Sequence, residues 1–236
     1  MMNYALEPIA IIHTPFKEKF ATPRQPGLAP SIRARIDFAP DFATPEAVRG
    51  LEGFSHLWLI FLFHQNWQKE WKPTVRPPRL GGNQRVGVYA SRSPFRPNPI
   101  GLSAVKLLSI NIDKGAVSLE VLGADLIDGT PILDIKPYIP YGDSVPDATG
   151  GFAEEAPKPN LLVEFTAIAQ KQIILYQKVS PELETLVREA LSLDPRPAYR
   201  GNKKDLQEYG ALLDCYNIRW KVEEDRLIVL EILAVE

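Results

Sequence analysis

Up to residue 140 the chain alternates apolar and polar side chains over short stretches. Residues 32–38 set Ile32, Ala34, Ile36 and Phe38 against Arg33, Arg35 and Asp37, the two-residue period of a half-buried strand. Residues 9–13 form a shorter β-rich run, and 54–63 are apolar on both faces, as a central strand would be. Further strands are predicted at 84–90, 102–112, 116–122 and 131–138, and one helical turn at 46–49. Many short strands parted by glycine and proline predict a mainly β fold closed, or nearly closed, into a barrel.

The pattern changes after residue 145. Residues 146–160, PDATGGFAEEAPKPN, are poor in apolar side chains and read as a linker. Residues 1–145 are therefore expected to form the barrel domain and 161–236 a small α+β domain. A helix is predicted over 166–178. A second is predicted over 181–192, with Ser180 as N-cap, Pro181 at the first helical position, and Leu183, Leu186, Val187, Ala190 and Leu191 on one face. Strands at 212–222 and 226–233 are joined by Glu223, Glu224 and Asp225.

With 236 residues and 45% hydrophobic side chains the chain can fill a real core, and 22 prolines favour strands and fixed loops over long helices. The longest apolar run, 57–63, falls far short of the ~20 residues that span a bilayer, so no membrane segment is expected. No secretory signal is visible at the start, and one cysteine, Cys215, allows no intrachain disulfide; a cytoplasmic location is expected. Cys215 itself reads as a small buried side chain in a strand.

Charge is segregated. Between Glu70 and Asp113 there is no acid, yet Lys72, Arg76, Arg79, Arg85, Arg92, Arg96 and Lys106 lie there. The chain carries −2 overall, so a window of seven positive charges leaves −9 on the rest. Such a patch faces an anion.

Several chemistries are excluded by missing motifs: no glycine-rich dinucleotide fingerprint, no P-loop, no Gly-x-Ser-x-Gly. His13, His56 and His64 have no metal-ligand spacing with each other or with Cys215, so no metal is expected.

Four polar clusters remain. In residues 91–101, SRSPFRPNPIG, the prolines stiffen a loop that would hold Arg92 and Arg96 in fixed directions for a carboxylate or phosphate. Asp125 and Asp128 could accept ribose hydroxyls or an amine proton, or could belong to a plain Asp-Gly turn. Pro23 to Gly27, and His64, Gln65 and Asn66, could each line a pocket mouth. Arg196, Tyr199, Arg200, Lys203 and Lys204 repeat the theme of braced cations with an aromatic, able to grip phosphates and stack a base, or to form a charged connection.

RQPGL at 24–28, LEGFSHLWLIFLFHQ at 51–65, VRPPRLGGNQRVGVYASRSPFRPNPIG at 75–101, GADLIDGTPILDIKPY at 123–138 and DPRPAYR at 194–200 closely resemble the tRNA methyltransferase family that acts on N6-threonylcarbamoyladenosine at position 37. The resemblance implies an S-adenosylmethionine (SAM)-binding β-barrel, a homodimer with the cofactor near the dimer interface, and a tRNA substrate met at its anticodon arm. It places SAM on Gln25, Pro26, Gly27, His64, Gln65, Arg92, Leu102, Asp125, Leu126, Ile127 and Asp128. By pattern alone Leu102 reads as core. One carboxylate of the pair Asp125 and Asp128, or a backbone carbonyl beside them, is expected to orient the attacking amine, Arg92 to bind the methionine carboxylate or a substrate anion, and Arg76, Arg79, Arg85, Arg96, Arg196, Tyr199, Arg200 and Lys203 to contact RNA. Two alternatives are a tRNA-binding module without catalysis and a SAM-dependent enzyme acting on a small anionic metabolite.

Overall fold

The computed structural model describes residues 5–67, 69–197 and 207–235. Strands β1 (Ala10–His13), β2 (Arg33–Phe38) and β3 (His56–Leu62) are followed by a two-residue pair, β4 (Thr74–Val75) and β5 (Val86–Gly87). After these come β6 (Ile100–Asp113), β7 (Ala116–Leu122) and β8 (Thr130–Pro137). Six of them close into an antiparallel barrel in the order β1-β2-β7-β6-β3-β8, which leaves no free sheet edge. The alternation read from the sequence fills it: Ile12, Ile36, Leu57, Leu59, Leu119, Val121 and Ile132 pack inside. β6 and β7 are joined through Lys114 and Gly115, both at positive φ, the backbone that matches the twist of a tight hairpin. Gly101 faces Phe61 across the β3–β6 pair, and a Cβ there would come within 2.2 Å of the ring.

Residues 84–90 do not join the barrel. Only Val86 and Gly87 pair, with β4, and a 3-10 turn, Val88–Ala90, follows. Val88 is buried, but it lies in that 3-10 turn, so the extended backbone ends at Gly87.

A short turn of helix, α1 (Pro140–Asp143), precedes the exposed stretch 146–160, which holds one 3-10 turn, Gly151–Ala153. Beyond it lie β9 (Leu162–Phe165), α2 (Ala167–Tyr176), α3 (Leu183–Ser192), β10 (Glu208–Leu213), β11 (Tyr216–Glu223) and β12 (Arg226–Ala234). The sheet order is β10-β11-β12-β9, with β9 parallel to β12. The Thr166 hydroxyl caps α2 by accepting from the Ala169 N–H at 3.2 Å. Ser180 does not cap α3: its hydroxyl meets the Tyr216 hydroxyl at 2.9 Å, and the helix starts after Glu182. The strand expected at 212–222 is a hairpin. Asp214, at φ +54°, turns the chain between β10 and β11, and Cys215 stands exposed at that turn.

The second core surrounds Trp220, which forms a triangle of rings with Phe20 at 5.6 Å and Tyr209 at 6.1 Å, these two standing 6.2 Å from each other. Phe16, Ala21, Ala29 and Ile32, from the connection between β1 and β2, are buried in it, and Phe16 bridges to Leu213. That connection therefore leaves the barrel to pack under the C-terminal sheet. Among the described residues no helix is long and apolar enough to cross a membrane.

Candidate active site

Three connections leave the same end of the barrel: β1 to β2, β3 to β6 and β7 to β8. The registers require this, because Leu122 faces Arg33, Leu62 faces Ile100 and Thr130 faces Ile12. The polar clusters at 23–27, 64–66, 91–101 and 125–128 all lie on these connections. The Gly27 N–H donates to the Gly123 carbonyl at 2.9 Å, and the Gly123 N–H to Ile32 at 3.1 Å. Gly123 has φ +77°, and a Cβ on it would stand 3.5 Å from the Gly27 backbone. Arg92 Nη1 donates to Gln25 Oε1 at 2.6 Å, joining segments 67 residues apart. The Phe63 N–H donates to the Pro99 carbonyl at 2.7 Å, which sets His64 and Gln65 beside the start of β6. Leu102 is not core: it is 52% exposed on the same end.

The two carboxylates have different surroundings. Ser103 Oγ, from an inward position of β6, donates to Asp125 Oδ1 at 2.6 Å. Burial pushes the Asp125 pKa up to about 6, while the Ser103 hydroxyl, its own backbone N–H and Arg92 hold it from rising further. Asp128 accepts from the Thr14 N–H at 3.0 Å and from Lys17 Nζ at 3.0 Å, with His13 Nδ1 at 3.6 Å. Burial opposes its ionisation, but Lys17, Thr14 and His13 outweigh it and hold the pKa below the usual carboxylate range. Asp128 thus braces the end of β1, and Asp125 is the carboxylate suited to accept a proton near neutrality.

Several expected RNA contacts are turned inward. Arg96 Nη1 donates to the Ser91 carbonyl at 2.7 Å and the Val88 carbonyl at 3.1 Å, with the guanidinium over Tyr89, so it stiffens its own loop. Arg196 is buried in a forked pair with Asp194, both contacts at 2.8 Å, and is withdrawn from solvent rather than offered to a phosphate. Arg79 donates to the Glu155 carbonyl. Arg76 and Arg85 are exposed. Tyr199, Arg200, Lys203 and Lys204 lie outside the described residues.

Two residues of the site escaped the sequence reading, Ser103 and Gly123. Ser103 had a signal, a hydroxyl at an inward position between Gly101 and Val105. The donor set fits a cofactor with amino-acid and ribose ends: guanidinium and amide at Arg92 and Gln25, a carboxylate at Asp125, and an apolar surface at Leu102 and Tyr89. Among the described residues no group of three His, Cys, Asp or Glu side chains is placed to hold a metal. Depressions of about 480 Å³ beside Trp58 and Tyr141 and about 450 Å³ beside Glu18 and Asn217 lie elsewhere on the molecule.

Residues 11–144 match the family model of the tRNA-methyltransferase O N-terminal domain, and residues 158–235 that of the TrmO C-terminal domain. A tRNA (adenine(37)-N6)-methyltransferase of Escherichia coli is 48% identical over 224 residues, 95% of each chain. A putative S-adenosylmethionine-dependent methyltransferase, RcsF, of Pseudomonas aeruginosa is 43% identical over 96% of each. A crystal structure of TrmO from Pseudomonas aeruginosa superposes with a TM-score of 0.81 at 37% identity, covering 99% of both chains.

Proposed function

Because the chain belongs to the tRNA-methyltransferase O family, we propose that it is a SAM-dependent enzyme that methylates N6 of N6-threonylcarbamoyladenosine at position 37 of tRNA. The observation that carries this reading is the Arg92–Gln25 bond, which joins two of the motifs that resemble the family's beside the buried Asp125 carboxylate. SAM supplies an electrophilic methyl group. Arg92, oriented by Gln25, would hold its carboxylate, and Pro26, Gly27, His64, Gln65, Leu102 and the 125–128 run, with Leu126 and Ile127, would supply its other contacts. Asp125 accepts the proton that the exocyclic nitrogen loses, a group whose alignment is the larger part of the task.

Residues 1–145 act as the catalytic barrel, 146–160 as a linker and 161–236 as the unit that meets the tRNA beside its anticodon arm. The protein works as a cytoplasmic homodimer. Support for the dimer comes from Tyr89, 73% exposed, and Leu102, 52% exposed, two large apolar side chains that one chain leaves uncovered.

Mass spectrometry of nucleosides from tRNA incubated with the protein and labelled SAM tests the reaction. The threonylcarbamoyl nucleoside gains one labelled methyl and unmodified adenosine gains none; methyl transfer only to a small metabolite, or to nothing, overturns the reading. Arg92→Ala weakens SAM binding by about tenfold to a hundredfold in calorimetry, the loss of one charge-assisted contact.

A further inference from the structure

The turn that carries His64 and Gln65 holds a group of cations without a counter-charge. Lys19 Nζ donates to Asn66 Oδ1 at 2.8 Å, and the Lys69 ammonium stands beside it. Neither lysine has a carboxylate partner among the described residues. Asn66 is 3% exposed, and with Oδ1 committed to Lys19 the Nδ2 of the same amide has no partner. A buried, unpaired donor is rare in a folded protein and calls for an explanation. The cations act on one another: burial, then Lys69, depress the pKa of Lys19, and burial, then Lys19, depress that of His64. Like charges gathered beside an unsatisfied N–H describe a site short of an anion.

We infer that Lys19, Lys69 and Asn66 form a carboxylate subsite, and that it takes the threonyl carboxylate of the modified adenine. The inference rests on the function proposed above. In the function proposed above the methionyl carboxylate of the cofactor is assigned to Arg92, whose guanidinium is oriented by Gln25, so it does not need this site. Lys19 and Lys69 are exposed, on the β1–β2 and β3–β6 connections that leave the same end of the barrel as Arg92 and Asp125, and Trp67, next in the chain to Asn66 and 51% exposed, offers a stacking face to a splayed base. The threonyl carboxylate is also the one charge that distinguishes this base from plain adenine, so its capture selects the modified substrate. An anion on the Lys19 ammonium releases the Asn66 amide to turn its N–H to the same ligand.

The test uses an anticodon stem-loop RNA carrying either the threonylcarbamoyl base or its primary amide, in which the carboxylate is neutralised. The wild-type protein favours the acid in kcat/KM by about tenfold or more, and the Lys19→Gln, Lys69→Gln double variant loses that preference while its SAM Kd stays within about twofold. Lys19→Arg restores part of the preference. Equal rates on acid and amide with the wild-type protein overturn the subsite. A loss confined to SAM affinity overturns the substrate assignment in favour of the methionyl carboxylate, and an equal loss of affinity for unmodified and modified RNA overturns it in favour of a backbone phosphate. If the wild-type protein methylates neither RNA, the proposed function fails with it, an outcome distinct from all of these.

Discussion

Asp125 and Asp128 stand three residues apart and are displaced in opposite directions, because burial raises the first despite its bond from Ser103, while Lys17 and Thr14 clasp the second and outweigh its burial. The folded protein binds a proton at Asp125 more tightly than the unfolded chain does, so ionisation opposes folding above pH about 6, and the penalty fades as pH falls towards 3.8. Asp125→Asn should therefore unfold at higher urea than wild type above that pH, by on the order of 2–3 kcal/mol, and match it at acid pH. Ser103→Ala removes a bond that lowers the Asp125 pKa, and the acid limb of the rate profile should move to higher pH. Both carboxylates were legible in the sequence. Their division of labour was not, since the partners that decide it lie 22, 111 and 114 residues away.

At the scale of elements, the barrel strands were readable because alternation is a local signal that burial then enforces. Residues 84–90 and 212–222 were misread for local reasons too: the first stays extended only through Val86 and Gly87 before a 3-10 turn, and the second hides a turn at Asp214, a non-glycine residue in the left-handed region. Two glycines carry contrasting predictions. Gly101→Ala drives a methyl into the Phe61 ring and should destabilise the barrel by about 1–3 kcal/mol in thermal unfolding, with SAM affinity following stability. Gly123→Ala adds strain of about 1 kcal/mol at positive φ while its methyl only touches the Gly27 backbone at 3.5 Å; relief of that strain shifts the Gly27–Gly123 bond, so calorimetry should show SAM affinity falling more than stability does.

The whole molecule presents its exposed cations unevenly. With Arg96 and Arg196 turned inward, Arg76 and Arg85 remain on the surface, and replacing both by alanine should flatten the slope of log K against log salt for tRNA by about two while leaving SAM binding unchanged. The change of composition at 146–160 led us to expect two units. Their shared core was not legible in the sequence, because the contacts of Phe16 and Ile32 with the C-terminal sheet span most of the chain. That sharing bears on synthesis. The barrel can close as soon as residue 137 has left the ribosome, yet Phe16, Phe20 and Ile32 stay uncovered until Trp220 and Leu227 have been made. The nascent protein therefore carries a greasy early segment through most of its translation, and a chain stopped at the linker would be left with that segment as a handle for chaperones and proteases.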